Sequence, residues 1–486
     1  MSTENITESV SGLASLEARL QRELRYLDLP AKQWMPEHGQ GEFHHDVVII
    51  GGGMAGLTLH AALAFMGVNA TIFDRSPADL EGPWGTTARM ETLRSPKQLT
   101  GPALGIPSLT FQAWYIAQFG EQAWDQLNKI PRLQWLEYLN WYKRVLGIEV
   151  RNQHTLLGMD ASDADWVALR IETPSGAIET HHARRVVLAT GRDGLGGPTV
   201  PEVAHSLPRD RWAHSSDSND YTLLKGKRVG VIGGGASAMD SAATALESGA
   251  AQVSLLVRRP DFPRVNKGKG AGSPGMVYGF SSLPDAWRWR IRHYINAQQV
   301  PPPRDSVLRV SQHDNAAFYL NCPFTDMRME GDVIRVETPQ GVFHFDFVIF
   351  STGFTVDWQA RPEFAGIAPH IRVWADRYQA PADQSDAELM GLPDLNEHFE
   401  FVAKEPAQQP GLSNIHCFAY PAVLSHGTIT GDIPAISDGA RKLAQSLVSR
   451  LFVRDIDAHF EALQAYSDPE VYGDEWVDAS QHKEAQ

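Results

Sequence analysis

One glycine-rich unit occurs twice in this chain, and it constrains the fold more than any other feature. The two copies are Gly51-x-Gly53-x-x-Gly56 and Gly233-x-Gly235-x-x-Ala238. Each follows a short β-branched run, DVVII or RVGVI, and each opens an apolar helical segment. In such a unit the first glycine permits a tight turn, the second lets the backbone approach a pyrophosphate, and the third position keeps helix and strand close. The free N–H groups of the helix N-terminus then face the phosphates. We therefore predict an α/β chain with two Rossmann-like dinucleotide-binding domains.

The second strand of each unit ends in different chemistry. Asp74 lies 21 residues after Gly53, where a carboxylate accepts hydrogen bonds from ribose hydroxyls. Arg258 and Arg259 stand at the matching place in the second unit. A carboxylate there would repel a ribose 2′-phosphate, whereas arginine can bind it through two hydrogen bonds. We therefore predict FAD in the first unit and NADPH in the second, although the two arginines could simply solvate a strand end.

Composition excludes several other classes of protein. The 486 residues include 43 basic and 58 acidic side chains, a net charge of −15, which argues against nucleic acid or a membrane surface as partner. Only two cysteines occur, Cys322 and Cys417, so we expect no disulfide scaffold, no cysteine-rich metal module and no CxxC redox pair. This usage and the lack of a secretory signal predict a cytoplasmic protein without a metal centre. Residues 47–73 carry no charge, but their glycines favour strand, turn and helix over a membrane span.

The order of the motifs predicts interleaved domains. Residues 1–44 form an N-terminal helical arm with leucines at helical spacing over 13–29, which packs on its own subunit or on a partner copy. A homo-oligomer through this arm is therefore one of our predictions. The remaining domains are a first FAD-binding part at 45–219, an NADPH-binding domain at 220–330 and a second FAD-binding part at 331–486. We expect residues 260–303 to be irregular, and we expect a C-terminal helix from about 434 to 451.

Further segments resemble the class B flavin-dependent monooxygenases over about residues 45–450. They are VVLATG at 186–191, VIFSTGF at 348–354, GPW at 82–84 and AHSSD at 213–217. The family includes flavin-containing, Baeyer–Villiger and N-hydroxylating enzymes. The full fingerprint of the first two groups is missing before His214, and N-hydroxylating relatives usually carry a proline where Met54 and Ala55 stand. The segment TLRSPK at 92–97 is similar to one in amino-acid N-oxygenases that act on small acidic substrates.

The resemblance implies an NADPH-dependent FAD monooxygenase that inserts one oxygen atom of O2 into a small substrate through a peroxyflavin. N-hydroxylation of an amine or amino acid stands ahead of Baeyer–Villiger or sulfur oxygenation. A flavin-dependent NADPH reductase without oxygenation is an alternative, although the missing CxxC argues against a thiol relay. A nucleotide sensor without catalytic activity is a third alternative. The cofactor-binding residues we predict are Gly51, Gly53, Met54, Ala55, Gly56, Asp74, Arg75, Trp84, Thr190, Gly191, Gly233, Gly235, Ser237, Ala238, Arg258, Arg259, Thr352, Gly353 and Asp432.

Four residues are candidates for roles near the chemistry. Arg94 and Lys97 could bind NADP⁺, a peroxide or a substrate carboxylate, or could instead contact FAD phosphate or solvent. His426 lies in a loop expected near the flavin ring, although a lone histidine often has a structural role. Asp432 resembles an acid that contacts the ribityl chain, with a helix N-cap as the alternative. Residues 304–315 could line the substrate cavity.

Overall fold

The computed structural model describes residues 12–36, 41–192 and 194–480. Its α-helices are α1 Leu13–Tyr26, α2 Met54–Phe65, α3 Phe111–Gln126, α4 Arg132–Val145, α5 Ala236–Glu247, α6 Lys267–Ala271, α7 Pro274–Gly279, α8 Asp285–Gln298, α9 Arg304–Ser311, α10 Trp374–Arg377, α11 Ala387–Gly391, α12 Val423–His426, α13 Ile436–Arg454 and α14 Ile456–Ala465. Its strands are β1 His44–Ile50, β2 Ala70–Asp74, β3 Val150–Asn152, β4 Thr155–Asp160, β5 Val167–Glu172, β6 Ile178–Leu188, β7 Gly196–Pro198, β8 Trp212–His214, β9 Arg228–Ile232, β10 Gln252–Leu256, β11 Ala316–Tyr319, β12 Asp326–Glu330, β13 Val333–Thr338, β14 Gly341–Phe345, β15 Phe347–Phe350, β16 Phe354–Val356 and β17 Ile415–Cys417.

The first glycine unit is the centre of the larger sheet. Its strands run in the order β3-β2-β1-β6-β5-β4, and β17 pairs with the carboxyl half of β6. β1 is parallel to both β2 and β6, and its last four residues are buried on both faces, which is why they read as a continuous apolar run. α2 is apolar on all sides because it lies between this sheet and α13. The predicted strand, turn and helix over residues 47–73 are therefore confirmed. Among the described residues no helix combines the length and apolar character that crossing a membrane requires.

The second glycine unit is the centre of a parallel sheet in the order β11-β10-β9-β15-β8. This sheet includes β8 and β15, which lie outside the predicted NADPH-binding range of 220–330. The structure therefore shifts both boundaries, and the second unit extends from about residue 212 to residue 350. We assigned β15 to the FAD-binding part because its Ser-Thr-Gly end is similar to the Ala-Thr-Gly end of β6. A motif at a strand end does not reveal which sheet the strand joins.

The stretch predicted to be irregular, 260–303, is mostly helical and contains α6, α7 and the long helix α8. The buried side of α8 carries Arg288, Trp289 and Arg292, while Trp287 and Tyr294 are exposed. Helix prediction from periodicity expects apolar side chains on the buried face. Two arginines on that face hide the pattern, which is why the sequence did not reveal the helix.

The predicted N-terminal helix is confirmed as α1. Leu16, Leu20 and Leu24 are buried in the main apolar core, and α1 packs against α3 of its own chain. Arg19 donates a hydrogen bond to Ser108, which fixes the helix further. The apolar face that could have met a partner copy is thus covered within the chain. The N-terminal residues 1–11 of the predicted arm lie outside the described residues, as do residues 37–40.

Candidate active site

The first glycine loop has the shape that a pyrophosphate site needs. Gly51 has φ +110°, and a Cβ there would lie 2.5 Å from the Ala189 carbonyl oxygen. A Cβ on Gly56 would lie 1.9 Å from the Gly51 carbonyl oxygen, so this position tolerates only glycine. Gly53 is different, because its nearest neighbour would be Gly82 at 3.7 Å. The backbone at Gly53, directly before α2, is thus open to a ligand, and the loop fits a dinucleotide.

Asp74 holds this loop from the end of β2. Its buried carboxylate accepts hydrogen bonds from the backbone N–H of Gly52 at 2.6 Å and of Ser76 at 2.7 Å. Each carboxylate oxygen keeps a further lone pair, so the predicted contact with a ribose hydroxyl is compatible with these bonds. Arg75 is exposed, and Trp84 is half-buried close to Gly82. Met54 and Ala55 begin α2, so their backbone N–H groups belong to its first turn.

The second glycine loop repeats this geometry at the start of α5. Gly233 has φ +135°, and a Cβ there would lie 2.5 Å from the Ser351 carbonyl oxygen. A Cβ on Gly235 would meet nothing within 4 Å, so the space in front of the helix is free. Ser237 is half-buried, and Ala238 is fully buried against the sheet. This loop therefore fits a second dinucleotide.

Arg258 and Arg259 follow β10 beside the second loop. Arg258 is exposed and Arg259 half-buried, and within the described ranges neither guanidinium forms an ion pair. Both are thus able to bind an anion, as the prediction of a 2′-phosphate contact requires. Lys267 and Lys269 lie nearby at the start of α6. Their contact with a phosphate stays a prediction.

The two Thr-Gly segments lie together and join the two sheets. Thr190 and Gly191 follow β6, Thr352 and Gly353 follow β15, and the next strands, β7 and β16, pair antiparallel. Thr199 donates a backbone hydrogen bond to the Gly353 carbonyl at 2.9 Å, and the Thr352 hydroxyl donates to Thr199. Since ligands of parallel sheets bind at the carboxyl ends of the strands, this connection brings the two dinucleotide sites toward each other.

A group of charged side chains lies where the two units meet, a region that we call the cleft. Arg94 pairs at 3.5 Å with Asp240, which lies on α5 and is 2% exposed. The Arg94 side chain is 44% exposed, yet the protein around it removes enough water to lower its pKa. Asp240 also accepts a hydrogen bond from Ser306 at 2.7 Å. Ser306 lies on α9 and belongs to the 304–315 segment, whose place in a substrate cavity stays a prediction.

The same cleft contains residues that sequence reasoning missed. The guanidinium of Arg192 lies 4.4 Å from the ring centroid of Tyr420, and the Tyr420 hydroxyl donates to Glu388 at 3.2 Å. Burial raises the pKa of Glu388 and lowers that of Arg292 on α8. One signal was available, because Arg192 directly follows the Thr190-Gly191 motif. We define the cleft cluster as Arg94, Arg192, Asp240, Arg292, Glu388 and Tyr420.

Lys97 points elsewhere. Its ammonium donates to the carbonyls of Trp124 at 2.5 Å and Asp125 at 3.3 Å, and it lies 4.8 Å from the Trp124 ring centroid. These carbonyls belong to the last turn of α3, where a cation is favourable. The structure therefore does not bring Lys97 together with Arg94, and it favours a structural role.

His426 is also occupied by the fold. Its ring stacks on Phe399 at 3.7 Å, it is 2% exposed, and Nε2 bonds to the Asn396 carbonyl at 2.9 Å. Burial lowers its pKa to about 3, so the ring is neutral at physiological pH. These contacts favour the structural alternative over a catalytic role.

Asp432 is exposed in front of a short helical turn, and the protein around it raises its pKa. Asp432 occupies the N-cap position of this turn, but its side chain makes no capping hydrogen bond. A contact with the ribityl chain stays a prediction.

This chain is similar to known flavin-dependent enzymes. Residues 117–300 match the family model of L-lysine 6-monooxygenase and L-ornithine 5-monooxygenase. A FAD-dependent urate hydroxylase from Xanthomonas campestris pv. campestris is 38% identical over 472 residues, which cover 96% of this chain and 99% of the relative. The chain belongs to the class B flavin-dependent monooxygenases. The predicted family and enzyme class are thus confirmed, and FAD and NADPH are the cofactors of this monooxygenase.

Solved structures agree on the fold. Ornithine hydroxylase from Pseudomonas aeruginosa superposes with a TM-score of 0.65 at 16% identity, over 84% of this chain and all of that one. L-lysine 6-monooxygenase from Pseudomonas syringae gives 0.63 at 19% identity, over 84% and 100%. The predicted architecture of two dinucleotide-binding domains is therefore confirmed. The match to the lysine and ornithine family model supports N-hydroxylation as the reaction.

Proposed function

We propose that this monooxygenase N-hydroxylates a small amine or amino acid in the cleft between its two dinucleotide units. The observation that carries the proposal is the connection of the two Thr-Gly segments, which turns the carboxyl ends of both sheets toward one cleft. Bound FAD, once reduced by NADPH, supplies the oxygen chemistry. The family model that matches residues 117–300 supports nitrogen as the atom oxygenated.

The chain's own residues supply position and environment. Gly51, Gly53 and Asp74 shape one dinucleotide site, and Gly233 and Gly235 shape the other. Arg94 and Asp240 connect the segment after the GPW loop to α5, so the ion pair links the two units across the cleft. Burial raises the pKa of Glu388, which indicates that water is partly excluded around this carboxyl group. An environment with little water protects a reactive oxygen donor from side reactions.

Hydroxylation of a purine anion is a second candidate. It is favoured by the 38% identity to a urate hydroxylase, because that match covers 96% of this chain, whereas the lysine and ornithine family model covers only residues 117–300. An aromatic ring and an arginine, such as Tyr420 and Arg192, are chemically suited to a flat anionic substrate.

A substrate panel separates the candidates. Purified holoenzyme is supplied with NADPH and O2 and with L-ornithine, L-lysine, L-aspartate, cadaverine, urate, a sulfide or a ketone. We expect NADPH consumption matched by a hydroxylamine product with an amine or amino acid. Matched turnover with urate alone would replace the first candidate by the second. Matched turnover with the sulfide or ketone alone would refute both.

We also infer that the enzyme acts in the cytoplasm, because Cys322 and Cys417 are both buried and free. A homo-oligomer through the N-terminal arm would have to use its exposed end, where Tyr26 is 79% and Leu27 58% exposed. Light scattering should then give the mass of an oligomer for the wild type and of a monomer for Tyr26→Glu/Leu27→Glu. A monomeric wild type would refute this assembly.

A further inference from the structure

Arg292 is a buried cation that forms no ion pair with another described residue. It lies on α8 and is 7% exposed, Nε has no hydrogen-bond partner, and Nη2 is 3.5 Å from the Asn296 amide oxygen. The favourable groups near it are the Tyr420 side chain, which also forms a hydrogen bond with it, and the Glu388 carboxyl group. Guanidinium stays charged in proteins, and an unpaired buried charge is costly. We therefore expect that a ligand pairs with this buried guanidinium group.

Arg288, one turn earlier on the same helix, shows what a structural arginine looks like here. It is also 7% exposed and its Nε also has no hydrogen-bond partner, but it is ion-paired with Asp285, which accepts two hydrogen bonds from Arg377. Asp285 therefore gives Arg288 a direct ion pair, whereas Arg292 forms none with a described residue. The contrast between neighbours on one helix face indicates a different role for Arg292.

A second arginine, Arg192, and the aromatic ring of Tyr420 lie near Arg292. Arg192 lies over the Tyr420 ring, and its charge acts on both Arg292 and Arg94. The nearest carboxylate, Glu388, accepts a hydrogen bond from Tyr420, and burial favours its neutral form by raising its pKa. The cleft cluster thus combines three arginines with two carboxylates, in a chain whose net charge is −15.

Arg192 follows β6 and Tyr420 follows β17, and the Tyr420 backbone N–H donates to the Gly191 carbonyl at 3.4 Å. Both residues thus lie at the carboxyl edge of the FAD-binding sheet. A ligand that pairs with Arg292 there would lie between the two dinucleotide units.

We propose that Arg292, together with Arg192 and Tyr420, binds a planar, charge-delocalised anionic group of the substrate and thereby selects anionic substrates over cationic ones. The inference rests on the proposed function and specifies its substrate class. A carboxylate and a urate-like ring share this chemistry, because each can accept two parallel hydrogen bonds from a guanidinium. Arg292 is then a binding residue that determines specificity.

The test uses FAD-loaded full-length enzyme with NADP⁺ present and no turnover. Calorimetry measures the Kd of L-aspartate, urate and cadaverine for the wild type, Arg292→Met, Arg292→Lys and Arg290→Met. Arg290 is the control because it lies exposed on the same helix. We expect Arg292→Met to weaken binding of an anionic probe about 100-fold or more, which is the usual scale for removing one partner of a buried charge pair. Arg292→Lys should restore part of the affinity, and Arg290→Met should change it less than 3-fold.

Two further readouts separate binding from structure. The KM for NADPH should stay within about 2-fold in Arg292→Met, since NADPH is assigned to other residues. The Tm of the ligand-free variant should equal or exceed that of the wild type, because a buried unpaired charge is removed. A lower Tm with unchanged affinity would assign Arg292 a structural role, and a raised KM for NADPH would assign it to the cofactor. Either outcome overturns the proposal.

The calorimetric measurements with the three probes also distinguish failure of this inference from failure of the proposed function. Tighter binding of L-aspartate than of urate identifies a carboxylate as the anion, and the reverse identifies a purine ring. If neither anion binds, or if cadaverine binds equally well, the inference is wrong even where amines are N-hydroxylated. If anions bind through Arg292 and no amine is oxygenated, the N-hydroxylation proposal fails and the inference stands.

Discussion

Replacing Asp74 by asparagine tests the geometry of the FAD site. The carboxylate accepts backbone hydrogen bonds from Gly52 at 2.6 Å and Ser76 at 2.7 Å, and each bond to a charged acceptor contributes about 1.5–3 kcal/mol. Asparagine has one acceptor oxygen, so one of the two bonds is lost and an NH2 group faces an N–H donor. We therefore expect the substitution to destabilise the native conformation of the glycine loop by about 2–3 kcal/mol.

FAD binding is weakened by the same free energy, because the loop must return to its binding geometry before FAD can bind. Since 1.4 kcal/mol corresponds to a factor of ten, the Kd for FAD should rise about 30- to 100-fold. The assay removes FAD from Asp74→Asn and from the wild type and titrates it back by flavin fluorescence. Asp79→Asn is the matched control, because Asp79 is exposed nearby and contributes only a surface ion pair with Lys143. A Kd for FAD in Asp74→Asn within 3-fold of the wild type would refute the reasoning.

Three more predictions address other residues. Arg258→Ala/Arg259→Ala should raise the KM for NADPH at least 10-fold and leave that for NADH nearly unchanged in steady-state kinetics; an equal rise in both would exclude the 2′-phosphate contact. Lys97→Met should lower the Tm by a few degrees without altering the KM of substrate, and the opposite pattern would restore Lys97 to the active site. Burial lowers the pKa of His426 from 6.5 to about 3, so the unfolded chain binds a proton that the folded chain excludes. His426 should therefore destabilise the fold by about 2 kcal/mol at pH 5 relative to pH 8; denaturant unfolding of His426→Gln should show a correspondingly smaller loss, and an identical loss would contradict the account.

The first glycine unit could be predicted from the sequence because its local rules agree. Three local features predict the same dinucleotide-binding turn: a β-branched run, glycines where a side chain would not fit, and an acid at the end of the next strand. Gly51, Gly56 and Asp74 adopt the geometry that this turn requires. The boundary near residue 331 could not be predicted in this way. Pairing of β15 with β9 is a long-range choice, and the local pattern of a strand does not encode its neighbours.

The cleft cluster shows the limit of motif reasoning. Arg94 was identified because it follows the GPW loop, but its partner Asp240 is 146 residues away in the chain. Arg292 lies on a helix whose buried face looks polar, so neither the helix nor the arginine could be recognised. His426 had the right position in the sequence for a catalytic role, and only the stacked Phe399 ring shows that the fold occupies it.

The proposed monooxygenase activity is tested most directly by turnover under ¹⁸O2 with NADPH and the substrate found by the panel. We predict one labelled oxygen atom in the product for each NADPH oxidised, with the second atom released as water. NADPH oxidation that reduces the flavin but leaves every product unlabelled would contradict it, and would make this chain a reductase.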